Sequence, residues 1–172
     1  MLAWGRKVSK RFRDRIRRMG ETLQVDASFL MACMAFETGR SFDPAQKNAA
    51  GSGAVGLIQF MPATAQALGT TPQQLAAMSA VRQLDYVERY FLPRAGRLKT
   101  LADVYMAILW PAAIGKPGSH VLFDRNDPDH PRRYVQNAGL DYNRDGLITK
   151  DEAARRVQEQ LELGLRPENA WP

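Results

Sequence analysis

The sequence predicts a mainly α-helical protein built as a single domain. Helix-capping residues and apolar positions at helical spacing recur along the chain while strand signals are scarce, which indicates roughly six to eight helices. A length of 172 residues is enough for one hydrophobic core and short for two. The sequence contains no internal repeat and no low-complexity linker.

The basic charge is concentrated at the start of the chain. Eight of the 24 lysines and arginines stand in the first twenty residues beside a single acid, Asp14, although the whole chain carries a formal charge of only +6. We expect no nucleic-acid-binding surface, because the excess is one local patch. The patch is interpreted as the solvated face of a helix, with contact to an anionic cell envelope or to a membrane surface as alternatives.

Cysteine content and hydropathy exclude two further classes. The single cysteine, Cys33, excludes an intramolecular disulfide, and its apolar surroundings indicate a buried side chain rather than a reactive thiol. No stretch approaches the roughly 20 apolar residues that span a bilayer, and the charged beginning lacks the apolar core of a signal peptide. We therefore expect synthesis in the cytoplasm without a signal peptide.

Helices are predicted on both sides of an irregular loop. Ser9 is predicted to cap a first, basic helix. Residues 1–24, which contain this helix, are expected to pack on a main domain of residues 25–172. Asp26 is predicted to cap a second helix, 27–37, which is apolar nearly all round and hence central. Loop chemistry follows near 38–60 and could include a short hairpin. Further helices are predicted at 62–68, from Pro72, at 80–92, 100–110 and 131–138, and from Thr149 to about Leu163.

Glu37 is the candidate catalytic residue. It ends the apolar second helix, where apolar neighbours and the partial negative charge of the helix C-terminus both disfavour the ionised carboxylate. Both effects raise its pKa, and a carboxyl that stays protonated near neutral pH can serve as the general acid in glycosidic cleavage. A solvated glutamate at a helix end is the alternative interpretation of its position.

Two blocks around Glu37 resemble a known enzyme family. Glu37-Thr-Gly-Arg-Ser-Phe-Asp-Pro44 and Gly53-Ala-Val-Gly-Leu-Ile-Gln-Phe-Met-Pro-Ala-Thr-Ala65 are similar to the catalytic core of the soluble lytic transglycosylases and goose-type lysozymes. The resemblance covers roughly residues 25–115 and extends to lysozyme-like domains of tailed phages and type VI secretion cargo. It implies a lysozyme-like helical fold and cleavage of the β-1,4 bond between N-acetylmuramic acid and N-acetylglucosamine in peptidoglycan.

The resemblance also implies roles for individual residues. Glu37 becomes the catalytic acid and, in a second step, the base, while Gln59 and Met61 line the saccharide groove. Core packing is the alternative for Met61. Asn48 falls where many of these enzymes carry a serine that contacts the acetamido group of the substrate. An amide can replace a hydroxyl as a hydrogen-bonding group at that position.

One later segment departs from the family pattern. The family has Ala-Tyr-Asn-Ala-Gly in a later helix, and the tyrosine of that motif reaches the catalytic glutamate. Here the segment reads Tyr105-Met-Ala-Ile-Leu-Trp-Pro-Ala-Ala-Ile-Gly115. Tyr105 is the preferred candidate for this ring and Trp110 is the alternative, although each could equally be a core residue of an amphipathic helix.

The identity of the second catalytic group decides between hydrolysis and lytic cleavage. An inverting hydrolase needs a second carboxylate roughly 6.5–9.5 Å from the acid, and a retaining one needs a nucleophile about 5 Å away. Asp43 stands at the family's turn-forming Asn-Pro position, and Asp85 and Asp103 are interpreted as solvated or capping residues. A lytic transglycosylase is therefore favoured. The alternatives are a hydrolytic lysozyme of the same fold and an inactive calcium-stabilised module that binds the wall or serves a structural role.

Residues 141–152 fit the twelve-residue EF-hand calcium loop. Acidic and amide side chains stand at its first, third, fifth and twelfth positions, and a glycine stands at the sharp turn. The expected ligands are Asp141, Asn143, Asp145, Leu147, Thr149 and Glu152. A structural Ca²⁺ ion is expected to fix the C-terminal helix to the domain. A polar turn before a capped helix is the alternative, since Thr149 and Glu152 also form a capping-box pattern.

These motifs together define the expected partners and place of action. Peptidoglycan is the expected substrate, and the protein is expected to act as a monomer without nucleic acid. Because the sequence predicts no signal peptide, delivery to the bacterial cell wall as phage-encoded or secreted cargo is expected.

Overall fold

The structure, a computed structural model, describes all 172 residues and is mainly helical. Two short strands, β1 (Val121–Asp124) and β2 (Leu147–Thr149), accompany eight α-helices. The helices are α1 (Lys10–Leu23), α2 (Ala27–Glu37), α3 (Pro62–Ala67), α4 (Pro72–Ala77), α5 (Ala80–Phe91), α6 (Leu101–Leu109), α7 (Pro131–Asn137) and α8 (Lys150–Gly164).

Side-chain caps set the beginnings of most helices. Ser9 accepts a hydrogen bond from the Phe12 amide at the start of α1, and Asp26 accepts one from the Ser28 amide at the start of α2. The same kind of bond begins four further helices, α4, α5, α6 and α8. These bonds satisfy amide groups that have no partner inside a helix. The predicted starts of α1 and α2 are therefore confirmed.

Helix α2 forms the centre of the core. It packs against α1, α6 and α8, and Leu30 to Ala35 are almost completely buried. Cys33 is buried and free, as its apolar surroundings predicted. On α1 the four predicted apolar positions are buried: Phe12, Ile16, Met19 and Leu23. No helix is both long and apolar enough to cross a membrane.

The structure differs from the predicted elements in two places. The antiparallel pairing of β1 with β2, which joins Val121 to Thr149, was not predicted. The possible hairpin near 38–60 is reduced to isolated bridges, in which Val55 pairs with both Lys47 and Phe60. Helix α5 ends at Phe91, within one residue of its predicted end, and a 3₁₀ turn, Leu92–Arg94, follows it. Pro93 is the second residue of that turn, whose φ is compatible with the fixed φ of proline.

The beginning and end of the chain form one packed unit. Leu2 pairs with Trp171 in an isolated bridge, and the buried Trp4 donates from its indole Nε1 to the Gln160 carbonyl at 2.8 Å. The guanidinium of Arg13 lies 3.8 Å from the centroid of the Trp171 ring. An arginine on an aromatic face gains a cation-π contact that a lysine makes less well.

Several basic residues of the first helix have partners inside the fold. Arg15 binds Asp85 at 3.1 Å and Glu88 at 2.7 Å, both on α5. Asp85 also pairs with Arg82, and its side chain stays 35% exposed, so it is a partly solvated acid that joins α5 to α1. The basic side chains of the first twenty residues that bind no protein group are Lys7, Arg11 and Arg18.

Asp103 differs from its expected role. It lies on the first turn of α6, where its backbone amide donates to the Thr100 side-chain oxygen, but its carboxylate is buried and paired with Lys150. The partner comes from α8 and is distant in sequence. The local sequence pattern predicted that Asp103 is exposed near the start of a helix. Its charge can be buried because Lys150, distant in sequence, pairs with it.

Candidate active site

Glu37 is the last residue of α2, and its carboxyl group forms no ion pair with another protein group. Its side chain is partly buried and makes no hydrogen bond. Burial among apolar groups raises the pKa of the Glu37 carboxyl from an ordinary 4.5 to about 8. No neighbouring acid contributes to this rise. The carboxyl is therefore mostly protonated at neutral pH, as a general acid requires.

Two tyrosines lie within electrostatic range of Glu37. Burial raises the pKa of Tyr105 well above its usual range, and the charges of Glu37 and Cys33 raise it further. Burial also raises the pKa of Tyr90, with Arg94 lowering it and Glu37 raising it. The charge of Glu37 thus acts on two phenol groups, one on α5 and one on α6.

The two tyrosines are held differently. The Tyr105 ring packs edge-on against Phe36, the residue before Glu37, at a centroid distance of 5.8 Å, and its hydroxyl binds no protein group. The Tyr90 hydroxyl donates to the Ala107 carbonyl of α6. Sequence analysis missed Tyr90, because a tyrosine on the amphipathic helix α5 carries no motif of its own.

Trp110, the alternative to Tyr105, packs elsewhere. Its ring lies 5.3 Å from that of Phe123 on β1, centroid to centroid, and the Arg133 guanidinium lies 5.0 Å from its centroid. Trp110 therefore fixes β1 and α7 to the end of α6. Of the two candidates, Tyr105 is the one near Glu37.

The glycine-containing block, residues 53–61, is organised by a buried glutamine. Gln83 accepts from the Leu57 amide at 2.8 Å and donates to the Pro44 and Leu75 carbonyls, both at 2.9 Å. Gly56 has a φ of 87°, and a Cβ there would lie 2.4 Å from Gln83 Oε1. Glycine is required at this position by the close approach of Gln83 and by the backbone conformation.

Gln59 and Met61 present different atoms to a small cavity. Gln59 donates from Nε2 to the Gln46 and Gly56 carbonyls, both at 3.0 Å, while its Oε1 accepts no hydrogen bond. Met61 is 47% exposed, so the alternative that it packs in the core is wrong. Both residues line a cavity of about 50 Å³ together with Tyr90. The free acceptor oxygen of Gln59 and the exposed thioether of Met61 therefore lie near Tyr90, whose pKa the charge of Glu37 raises.

Asn48 and Asp43 lie apart from this cluster. Asn48 accepts the Ala50 amide on Oδ1 at 2.8 Å and lines a separate cavity of about 570 Å³, which Glu37 does not reach. Asp43 accepts the Ala45 amide at 2.8 Å, which is the turn-forming role that its position predicts. Neither residue adds a charge or a contact at Glu37.

The 141–152 loop is folded around Asp141. Asp141 is buried, and its Oδ2 accepts from the Gly146 amide at 2.9 Å and from the Tyr134 hydroxyl. Its Oδ1 is the only buried side-chain nitrogen or oxygen in the molecule without a hydrogen-bond partner. Such an atom is costly unless a ligand or water satisfies it.

The other expected ligands bind one another or the backbone. Asn143 donates from Nδ2 to Asp145 Oδ2 at 3.0 Å, and Leu147 contributes a backbone amide to Asp145 Oδ1. Thr149 and Glu152 form the reciprocal capping box at the start of α8. The structure gathers no group of three or more His, Cys, Asp or Glu side chains that could hold a metal ion. The capping arrangement named as the alternative is thus present.

Part of the chain matches the sequence model of a known family. Residues 14–84 match the sequence model of the family described as Transglycosylase SLT domain. The resemblance to the soluble lytic transglycosylases is therefore confirmed for this segment, which runs from α1 into α5 and contains Glu37, Asn48, Gln59 and Met61. Tyr105 and the 141–152 loop lie beyond it. No curated protein matches the chain.

Proposed function

We propose that this chain, whose residues 14–84 match the transglycosylase SLT domain, cleaves the β-1,4 bond between N-acetylmuramic acid and N-acetylglucosamine in peptidoglycan. The observation that carries the proposal is the Glu37 carboxyl within that segment, unpaired and with a pKa of about 8. A carboxyl in this state can give its proton to the leaving sugar oxygen.

Lytic cleavage is the favoured form of the reaction. Both hydrolytic routes need a second carboxylate within roughly 5–9.5 Å of the acid, and no acid contributes to the pKa of Glu37. In the proposed reaction Glu37 protonates the N-acetylglucosamine O4 as its bond to muramic C1 breaks. The muramic C6 hydroxyl then attacks C1 and passes its proton to the Glu37 carboxylate, which leaves a 1,6-anhydromuramic end.

The neighbours of Glu37 have supporting roles in this proposal. Gln59 Oε1 has free acceptor capacity for a sugar hydroxyl or amide, and the exposed Met61 offers apolar contact. The unpaired Tyr105 hydroxyl is available to hold the Glu37 carboxyl or the departing oxygen. These contacts would orient the bond that is cleaved before proton transfer.

The test is the release of soluble fragments from purified peptidoglycan. Wild type should release them, and Glu37→Gln should not, because the amide cannot donate an equivalent proton. Glu21→Gln is the matched control, since Glu21 is an exposed acid on α1. Equal release by wild type and Glu37→Gln would contradict the role of Glu37.

We also propose that the 141–152 loop binds a structural Ca²⁺ ion. Support comes from the unpartnered, buried Asp141 Oδ1 and from the oxygen-rich side chains at the EF-hand positions Asn143, Asp145 and Glu152. These residues, with Thr149 and the Leu147 carbonyl, would hold the ion. Oxygen ligands of this kind suit a hard divalent cation.

Thermal unfolding with and without calcium tests the loop directly. Because a ligand that binds the folded state alone stabilises it, the melting temperature of wild type should rise with calcium concentration. Asp141→Asn should lose this dependence, and Asp129→Asn, in an exposed turn outside the loop, should keep it. An equal response of wild type and Asp141→Asn would exclude the site.

The place of action follows from the substrate. Peptidoglycan lies in the bacterial cell wall, so the chain would act there, delivered as phage-encoded or secreted cargo and working as a monomer. Lys7, Arg11 and Arg18 bind no protein group and remain available to an anionic envelope. Such attraction would weaken as salt is added.

A further inference from the structure

The loop that follows the candidate acid brings a basic residue close to it in sequence. Arg40 stands three residues after Glu37, whereas every other lysine or arginine is at least ten residues away. At a helix end such a separation brings two side chains within reach of one another. A basic partner would favour the ionised carboxylate and lower its pKa. No basic side chain contributes to the pKa of the Glu37 carboxyl, so the charge of Arg40 is kept away from it.

A buried glutamine and a buried tryptophan hold the Arg40 side chain. Arg40 donates from Nε to Gln160 Oε1 at 3.0 Å, and its guanidinium lies 5.8 Å from the centroid of the Trp4 ring. Gln160 is 9% exposed and Trp4 is 2% exposed. Trp4 is itself fixed on α8, because its amide donates to the Gly164 carbonyl at 3.0 Å and a Cβ at Gly164 would lie 2.5 Å from its ring. The guanidinium therefore lies against α8.

The backbone of Arg40 fixes the position from which its side chain starts. Its amide donates to the Ala35 carbonyl at 2.7 Å at the end of α2, and its φ is 71°. Few residues other than glycine adopt this left-handed conformation, because a Cβ then crowds the backbone. Such a conformation persists where surrounding contacts stabilise it. The contacts of the Arg40 side chain with Gln160 and Trp4 are of this kind.

The ionisable groups that interact with Glu37 are all neutral at pH 7. They are the Cys33 thiol on α2, the Tyr90 phenol on α5 and the Tyr105 phenol on α6, and burial raises the pKa of each. Arg94 lowers the pKa of Tyr90 but does not act on Glu37. From α1 and α8, which also pack on α2, no ionisable group contributes to the pKa of Glu37. A guanidinium released from α8 would therefore be the one cation acting on the Glu37 carboxyl.

We propose that Gln160 is a positioning residue of the candidate active site, which holds the Arg40 guanidinium on α8 and prevents it from pairing with the Glu37 carboxylate. The inference rests on the proposed function, since it takes Glu37 as the catalytic acid. Gln160 acts through Arg40 rather than on the substrate. It lies outside residues 14–84, the segment that matches the family, so the C-terminal helix keeps the acid of that segment unpaired.

Nuclear magnetic resonance of ¹³C-labelled glutamate side chains measures the titration of Glu37 directly, and Glu37→Gln identifies its signal. In wild type the midpoint should lie at about 8. Gln160→Met keeps the length of the side chain and removes the Oε1 acceptor, so the variant loses a single side-chain hydrogen bond and releases Arg40. The Glu37 midpoint should then fall by about one pH unit or more, as for a carboxylate beside an arginine.

A second change separates the released charge from a loosened helix. Adding Arg40→Met to Gln160→Met removes the cation, and the Glu37 midpoint should return to its wild-type value. Arg40→Met alone should leave the midpoint unchanged, because the guanidinium does not act on Glu37 in wild type. Gln158→Met is the matched control, since Gln158 is an exposed glutamine of the same helix, and Glu37 should titrate in it as in wild type.

Peptidoglycan cleavage by the same variants is then measured across pH. The high-pH limb of kcat/KM should move to lower pH in Gln160→Met and return in the double variant, because this limb reports deprotonation of the acid. A wild-type Glu37 midpoint in Gln160→Met, or a lowered midpoint that persists in the double variant, would overturn the proposal. Failure of wild type to cleave peptidoglycan would instead overturn the proposed function, and the titration would still decide whether Gln160 holds Arg40 away from Glu37.

Discussion

Lys150 Nζ lies 2.7 Å from Asp103 Oδ1, and each side chain is only 5% exposed. The same Asp103 oxygen accepts the Gly115 amide at 2.8 Å, and Lys150 also donates to the Lys116 carbonyl at 2.8 Å. The pair joins the first residue of α8 to the first turn of α6, two residues before Tyr105. It therefore fixes the end of the chain to a helix that carries a candidate site residue.

Breaking this pair should destabilise the fold strongly. Lys150→Met leaves the Asp103 carboxylate buried without its cation, which typically costs about 3–5 kcal/mol. Adding Asp103→Asn removes the stranded charge, so the double variant should be less destabilised than the sum of the two single changes. Urea unfolding of the four proteins measures this coupling, and strictly additive losses would show that the two charges do not interact.

Glu37 should make stability depend on pH in an unusual direction for a carboxylate. Its pKa is raised in the fold from 4.5 to about 8, so the folded protein holds the proton more tightly than the unfolded chain. This contribution is fully present below pH 4.5 and is lost as the pH rises through 8. At pH 8 the free energy of unfolding of Glu37→Gln should therefore exceed that of wild type by an amount on the order of a few kcal/mol. The variant should accordingly unfold at a higher denaturant concentration. At pH 4 the two proteins should be alike, and no difference at pH 8 would contradict the raised pKa.

Gln83 should be needed for the glycine-containing block. Gln83→Leu keeps the volume but leaves the Leu57 amide and the Pro44 and Leu75 carbonyls without their partner, at a cost of about 3 kcal/mol or more. Thermal unfolding and peptidoglycan cleavage should both fall. Gln66→Leu on α3 is the control, since Gln66 is exposed, and equal stability of the two variants would refute the role of Gln83.

The Tyr105 hydroxyl should matter for activity more than for stability. Tyr105→Phe keeps the ring against Phe36 and removes a hydroxyl that binds no protein group. The melting temperature should stay nearly unchanged, while kcat on peptidoglycan should fall about tenfold if the hydroxyl contacts the reacting groups. Unchanged kcat would assign Tyr105 to the core alone.

Local features of the sequence were sufficient to predict most helices and the candidate acid. The capping side chains at Ser9 and Asp26 act within three residues, and Glu37 is placed at a helix end by the same local rules. Its burial followed from the apolar character of α2. These features need no knowledge of the rest of the chain.

Long-range contacts explain what the sequence did not predict. Asp103 meets Lys150 across 47 residues, and β1 pairs with β2 across the 125–146 segment. Tyr90 of α5 is held beside the site by the hydrogen bond that it donates to the Ala107 carbonyl of α6. No local pattern distinguishes such a tyrosine or aspartate from those on any amphipathic helix.

The most direct test is mass analysis of the muropeptides released from purified peptidoglycan by wild type and by Glu37→Gln in parallel. Wild type should release products one water lighter than hydrolysed ones at the muramic end, and Glu37→Gln should release none. Reducing muramic ends would replace lytic cleavage by hydrolysis and require a second catalytic group. No release by wild type, or equal release by both proteins, would contradict the assignment of Glu37 as the catalytic acid.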